Sequence, residues 1–76
     1  MRANRSLRLM HTRTGRRPAR LDRSRIDSLE VVEVASGEVV LFWELPAADA
    51  ARRARRLRED LAGLDEREFL DRWRGA

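Results

Sequence analysis

The sequence predicts a small α+β protein, in which a β-hairpin is followed by two helices (ββαα) and preceded by a disordered basic arm. Three observations support this fold: a hairpin pattern between Ser28 and Pro46, a helical apolar stripe after that proline, and a change in charge balance near residue 25. The arm spans residues 1–25 and the interaction domain spans residues 26–76. A chain of 76 residues is long enough for one domain at most.

Two apolar segments around a short turn predict the hairpin. Ser36-Gly37 supplies a two-residue turn, because glycine adopts positive φ at no steric cost. Successive side chains of a strand point to opposite sides, so the hairpin has two faces. The apolar residues predicted for the first face are Val32, Val34, Val39, Leu41 and Trp43. Those predicted for the second face, which Glu33 and Glu44 interrupt, are Leu29, Val31, Val40 and Phe42.

The periodicity after Pro46 predicts a helix that runs to about Ala62. Its apolar residues recur at helical spacing and form one stripe. They are Ala50, Ala54, Leu57, Leu61 and Leu64. Gly63 is placed as a C-terminal cap. A second helix begins after Asp65, because that residue is a good N-cap and Glu68 stands where a capping box requires an acid.

The basic arm differs from the rest of the chain in charge. Residues 1–25 contain nine arginines and one aspartate, a balance of +8, whereas residues 26–76 contain eight arginines and twelve acids, a balance of −4. A segment so charged and so poor in large apolar side chains cannot offset its ordering entropy by burial, so it is predicted to be disordered. Every basic residue except the single histidine is an arginine. Codon usage in a GC-rich genome explains the absence of lysine.

The composition argues against several functional classes. The chain has no cysteine, and its one histidine, His11, lies in the predicted arm, so the sequence supplies neither a transition-metal site nor an activated nucleophile. We therefore predict no enzyme, no cofactor and no small-molecule substrate. The longest apolar run, residues 39–43, is far shorter than the roughly 20 residues of a membrane span, so no membrane association is predicted. We predict a cytoplasmic location.

The hairpin predicts a non-enzymatic protein–protein interaction module. A single helical layer covers only one face of the hairpin, and large exposed apolar patches are uncommon on monomers. The partner is a second copy of the chain or a different protein, so the module is a homodimer or an accessory subunit. The residues predicted to form the protein interface are Leu29, Val31, Val40 and Phe42.

The alternative is a small nucleic-acid-associated protein. Arginines of a flexible arm contact phosphates without reading sequence, and their affinity falls steeply with salt. The residues predicted to bind nucleic acid in this alternative are Arg13, Arg16, Arg17, Arg20, Arg23 and Arg25.

Overall fold

The computed structural model describes residues 1–13 and 25–75. The elements in chain order are a 3₁₀ helix Ala3–Arg5, strands β1 Leu7–Arg13, β2 Ile26–Glu33 and β3 Val39–Pro46, and helices α1 Ala47–Gly63 and α2 Glu66–Arg74. The α+β class and the order of strands before helices are confirmed. The strands form one antiparallel sheet in the order β1-β2-β3, so the predicted hairpin is part of a three-stranded sheet.

The first strand is the main departure from the prediction. β1 pairs with β2 along its whole length, from Leu7 opposite Glu33 to Arg13 opposite Asp27. The prediction of a disordered arm over residues 1–25 is therefore wrong for residues 1–13, while residues 14–24 lie outside the described residues. Burial on the sheet offsets the ordering entropy of this segment, because its alternate side chains face the core.

The turn between β2 and β3 is longer than predicted. The backbone N–H of Glu33 donates to the Glu38 carbonyl at 2.8 Å, and the N–H of Gly37 donates to the Glu33 carbonyl at 2.8 Å. The connection between β2 and β3 is therefore residues 34–38, and the predicted two-residue turn is wrong in length. Gly37 adopts a φ of 74°, which is the left-handed conformation expected of the glycine in the turn.

A β-bulge changes the register of the hairpin. Next to the loop Val32 pairs with Val39, but Val31 pairs with Leu41, so Val40 is an extra residue on β3. Beyond the bulge, Leu29 lies opposite Trp43, whereas the predicted register placed these residues on different faces. One inserted residue moves the rest of a strand to the other face, which is why the predicted faces are wrong.

The core lies between one face of the sheet and the helices. α1 contacts all three strands, and its predicted apolar stripe is confirmed, with Leu64 partly buried and the other four members buried. The remaining buried members of the core come from the N-terminal segment, β2 and α2. They are Ala3, Leu7, Leu29, Val31, Phe69 and Trp73. Neither helix in the described part of the chain has the length and apolar character to cross a membrane.

The junction between the helices is held by two sets of hydrogen bonds. The predicted capping box is confirmed: the Glu68 N–H donates to Asp65 Oδ1 at 2.8 Å, and the Asp65 N–H donates to Glu68 Oε1 at 3.2 Å. Gly63 is the last residue of α1 and Leu64 is its C-cap, so the prediction of Gly63 as the C-terminal cap is wrong by one residue. The Ala3 N–H instead reaches the Leu64 carbonyl at 2.8 Å, which ties the N-terminus to this junction.

Candidate functional site

The face of the sheet turned away from the helices is open. Among residues 1–13 and 25–75, no helix packs on this face, and its alternate positions carry Met10 on β1, Glu30 on β2 and Phe42 on β3 in one row. The neighbouring row contains Val32 and Val39. Phe42 is 53% exposed, and Met10 and Val39 are each 48% exposed. We call the set Met10, Val32, Val39 and Phe42 the open-face patch.

The structure separates the four residues predicted as the protein interface. Leu29 and Val31 are fully buried beneath the helices, and Val40 packs against the same core at the bulge. These three residues are therefore not on the surface that Phe42 occupies. The bulge shifts the register between β2 and β3, and β1 makes β2 the central strand, so the predicted faces do not apply. Phe42 alone of the four is an exposed large apolar residue.

The sheet also has two edge strands. β2 is central, so β1 and β3 each pair on one side only within the described part of the chain. β3 is eight residues long and contains a single charge, Glu44, with Pro46 at its end. Unpaired strand edges of this apolar character favour association with another chain. The open-face patch and the β3 edge are contiguous, because Val39 and Phe42 belong to both.

A buried charged cluster closes the end of the sheet away from the hairpin loop. Asp27 is fully buried on β2 and accepts a hydrogen bond from Nε2 of His11 at 2.9 Å. Arg25 donates from Nε to Asp27 Oδ1 at 3.1 Å and from Nη2 to Oδ2 at 3.3 Å. The sequence interpretation missed this cluster, since it placed both partners of Asp27 in a disordered arm. The alternation Asp27, Leu29, Val31 was the signal that the carboxylate faces inward.

The chemistry of the open-face patch and of the Asp27 cluster is inferred from their own residues. No protein-family model, curated protein or solved structure matches this chain. The open-face patch offers apolar contact with charges nearby, which suits a protein surface. His11 hydrogen-bonds to Asp27, and the hydroxyls of Thr12 and Ser28 stand at alternate positions that face the opposite side of the sheet. Within residues 1–13 and 25–75, the cluster therefore holds charge at this end of the sheet.

The environment of Asp27 lowers its pKa. Burial acts in the opposite direction and raises the pKa, because a carboxylate loses hydration inside the protein. The hydrogen bond from His11 and the charge of Arg25 outweigh burial, so the pKa stays below its ordinary value of 3.8. The carboxylate is therefore ionised in the folded protein and pairs with both neighbours. The pKa of Asp65 is also lowered, chiefly by the hydrogen bond from the Glu68 backbone N–H.

We expect acid to destabilise the fold through Asp27. A carboxylate with a folded pKa below its unfolded value contributes stability above the unfolded value, and this stability is lost as the pH falls through the folded value. The variant Asp65→Asn removes the other lowered carboxylate while keeping a good N-cap residue. In this variant the urea midpoint should still fall between about pH 5 and about pH 3. A midpoint that stays constant over this range would contradict the role of the buried carboxylate.

Of the arginines predicted to bind nucleic acid, the structure describes Arg13 and Arg25. Arg13 is exposed at the end of β1, whereas Arg25 is partly buried and pairs with the carboxylate of Asp27. The guanidinium of Arg25 neutralises a buried charge, and its role as a phosphate ligand stays a prediction. The other four predicted residues lie outside the described residues. They are Arg16, Arg17, Arg20 and Arg23.

Proposed function

We propose that this protein is a small interaction module that associates with a second protein surface through the open-face patch. The observation that carries the proposal is the 53% exposure of Phe42 at the edge of a sheet face that no described helix covers. Large aromatic side chains dominate the energy of interfaces when they are desolvated. Burial of Phe42 with Met10 and Val39 would contribute several kcal/mol at about 25 cal/mol per Å².

We propose a second copy of the chain as the occupant of this face. The face carries charges of both signs, with Arg8 beside Val32 on one side and Glu44 opposite Ser28 on the other. These two residues lie on different edge strands and at different ends of the strands, so they occupy diagonal corners of the face. A two-fold axis that crosses two such sheets at a steep angle brings Arg8 of each copy towards Glu44 of the other. This self-complementarity supports a homodimer, in which the two Arg8–Glu44 pairs offset the repulsion between the two copies of Glu30 at the centre of the face.

The substitution Phe42→Ser should abolish self-association of the full chain. The side chain is half exposed, so its loss removes the centre of the interface without opening a cavity in the core. Light scattering over a concentration series should show a dimer for the unmodified protein and a monomer for the variant. Circular dichroism should show the same secondary structure for both.

Matched controls separate the patch from general apolar exposure. Val34 is 50% exposed in the hairpin loop, so Val34→Ser removes a comparable apolar surface outside the strands and should leave the dimer intact. Arg8→Glu and Glu44→Arg should each weaken the dimer, and the two substitutions combined should restore it. A full chain that remains monomeric at its highest soluble concentration would exclude self-association, and failure of the combined variant to recover would exclude the crossed arrangement.

We propose a cytoplasmic location for this module. The chain contains no cysteine, so no disulfide ties it to an oxidising compartment. Fractionation of cells that express the full chain would test the location, and recovery of the protein outside the cytoplasmic fraction would contradict it.

A further inference from the structure

A basic groove lies on the helical side of the molecule, away from the open-face patch. A cavity of about 260 Å³ opens between α1 and α2 and is lined by Arg53, Arg56, Arg72 and Trp73. A second cavity of about 390 Å³ continues along α1 towards the end of β3. Its lining residues are Leu45, Asp49, Arg52, Arg53 and Arg56. Arg53 and Arg56 are common to both, so the cavities form one extended groove along the first helix, which we call the arginine groove.

The arginine groove carries an excess of positive charge. Arg72 pairs with Asp60 at 3.3 Å, and Arg52 pairs with Asp49, so these two guanidinium groups are neutralised within the chain. Arg53 and Arg56 form no ion pair with an acidic side chain in the described residues. Two guanidinium groups at the centre of the groove are therefore available to an anion from outside. Arginine presents a planar fork of donors that matches phosphate oxygens.

Two indole rings lie beside Arg53: Trp73 lines the groove, and Trp43 contacts the guanidinium of Arg53. The Cζ atom of Arg53 lies 5.7 Å from the ring centroid of Trp43, within the range of a cation–π contact. Trp43 meets Trp73 edge to face, with ring centroids 5.8 Å apart. The Trp73 Nε1 donates to Asp60 Oδ2 at 2.9 Å, which fixes the second ring. The guanidinium of Arg53 is thus held on an aromatic support rather than extended into solvent.

We propose that the arginine groove binds the phosphate backbone of a single-stranded nucleic acid. Arg53 and Arg56 contact successive phosphates, and the planar guanidinium of Arg53, backed by the Trp43 ring, provides a surface on which a base stacks. Proteins that bind single strands without sequence preference combine a positive groove with planar groups of this kind. The site is separate from the open-face patch, so it does not depend on the proposed self-association.

The shape of the groove favours a chain over a compact anion. A single phosphate group fills only a fraction of either cavity, whereas a strand with charge at regular intervals can follow both cavities past Arg53 and Arg56. The stacked Arg53–Trp43 pair also favours nucleic acid over an acidic peptide, because carboxylate side chains offer no ring to stack. Binding should therefore require both the charge and the bases of the ligand.

The test measures binding by two double variants of the full chain in a gel-shift or filter-binding assay. Arg53→Gln/Arg56→Gln removes two positive charges from the groove, and Arg55→Gln/Arg58→Gln removes two from the same helix outside the groove. The probe is an oligothymidylate of about 12 nucleotides. We expect the groove variant to bind at least about tenfold more weakly and its log–log salt dependence to flatten by about 1.4. The control variant should change much less.

Defined outcomes would overturn the assignment. Equal losses in the two double variants would show that only the total charge matters. Binding of a duplex of equal length, or of a poly-glutamate peptide, at least as tight as binding of the single strand would assign the groove to a different ligand. Absence of oligothymidylate binding at low salt would exclude the site. Should the groove variant fail to fold by circular dichroism, Arg56→Glu tests the same site, since Arg56 is exposed and forms no ion pair in the described residues.

Discussion

Replacement of Asp27 by alanine is expected to cost about 3 kcal/mol or more of unfolding free energy. The carboxylate is fully buried and is the common partner of Arg25 and His11, so its removal takes from both side chains the buried acceptor with which they pair. A domain of this size has a net stability of a few kcal/mol, so this loss would populate unfolded chains without denaturant. Urea unfolding followed by circular dichroism at about pH 7 measures the change.

Two further variants identify the origin of this loss. Asp27→Asn keeps the shape and one acceptor oxygen but not the charge, so it should be less damaging than alanine yet clearly destabilised. Asp71→Ala removes an exposed carboxylate on α2 and should change the stability by less than about 0.5 kcal/mol. If Asp27→Asn were as stable as the unmodified protein, the hydrogen-bond geometry and not the ion pairing would hold this end of the sheet.

The fragment 26–76 is expected to be unfolded. It contains the hairpin and both helices, but it lacks β1, which pairs with β2 along seven residues, and it lacks the buried side chains Ala3 and Leu7. It also loses the hydrogen bond from the Ala3 N–H to the Leu64 carbonyl. Without β1, one edge of the core is exposed to water, and so are the backbone hydrogen-bonding groups on one side of β2. Circular dichroism of the isolated fragment should show little of the helix content of the full chain.

A point substitution reproduces the same effect in milder form. Leu7 is 1% exposed, so Leu7→Ala should destabilise the full chain by about 2–5 kcal/mol through lost burial and the cavity left behind. Arg8→Ala, one position along the same strand on the open face, should cost far less. A fragment 26–76 that unfolds cooperatively at the same urea concentration as the full chain would contradict the structural role of β1.

The helical half of the fold could be predicted because its signals are local. The stripe of α1 depends only on helical periodicity, and the capping box of Asp65 and Glu68 requires only the correct spacing within one turn. Both are realised in the structure. The α+β class could be predicted for the same reason, since each element carries its own pattern.

The sheet could be predicted only in part because its register is not local. The bulge at Val40 follows from how β3 fits both β2 and the core, and nothing in the hairpin sequence distinguishes it from a regular ladder. Strand β1 could not be predicted because of its composition. The alternation Leu7, Leu9, His11 is present in the sequence, but the surrounding arginines make the segment resemble a disordered arm. Pairing with β2 buries the apolar side chains of β1, and this pairing cannot be read from the β1 segment alone.

The candidate sites were predicted unevenly for the same reasons. Phe42 was identified as exposed because any register puts adjacent Phe42 and Trp43 on opposite faces. Its proposed companions Leu29 and Val31 depended on the register and are in the core. The arginines of α1 are absent from the predicted sites, since their arrangement beside Trp43 and Trp73 requires the tertiary fold.

The contact between the two indole rings makes this protein an optical reporter of one corner of its structure. The chain has two tryptophans and no tyrosine, and the rings of Trp43 and Trp73 lie 5.8 Å apart between the end of the sheet and the last helix. Its near-ultraviolet emission therefore arises from that corner alone. Detachment of the C-terminal helix would change the emission spectrum at once, whereas events on the far side of the sheet would leave it almost unchanged.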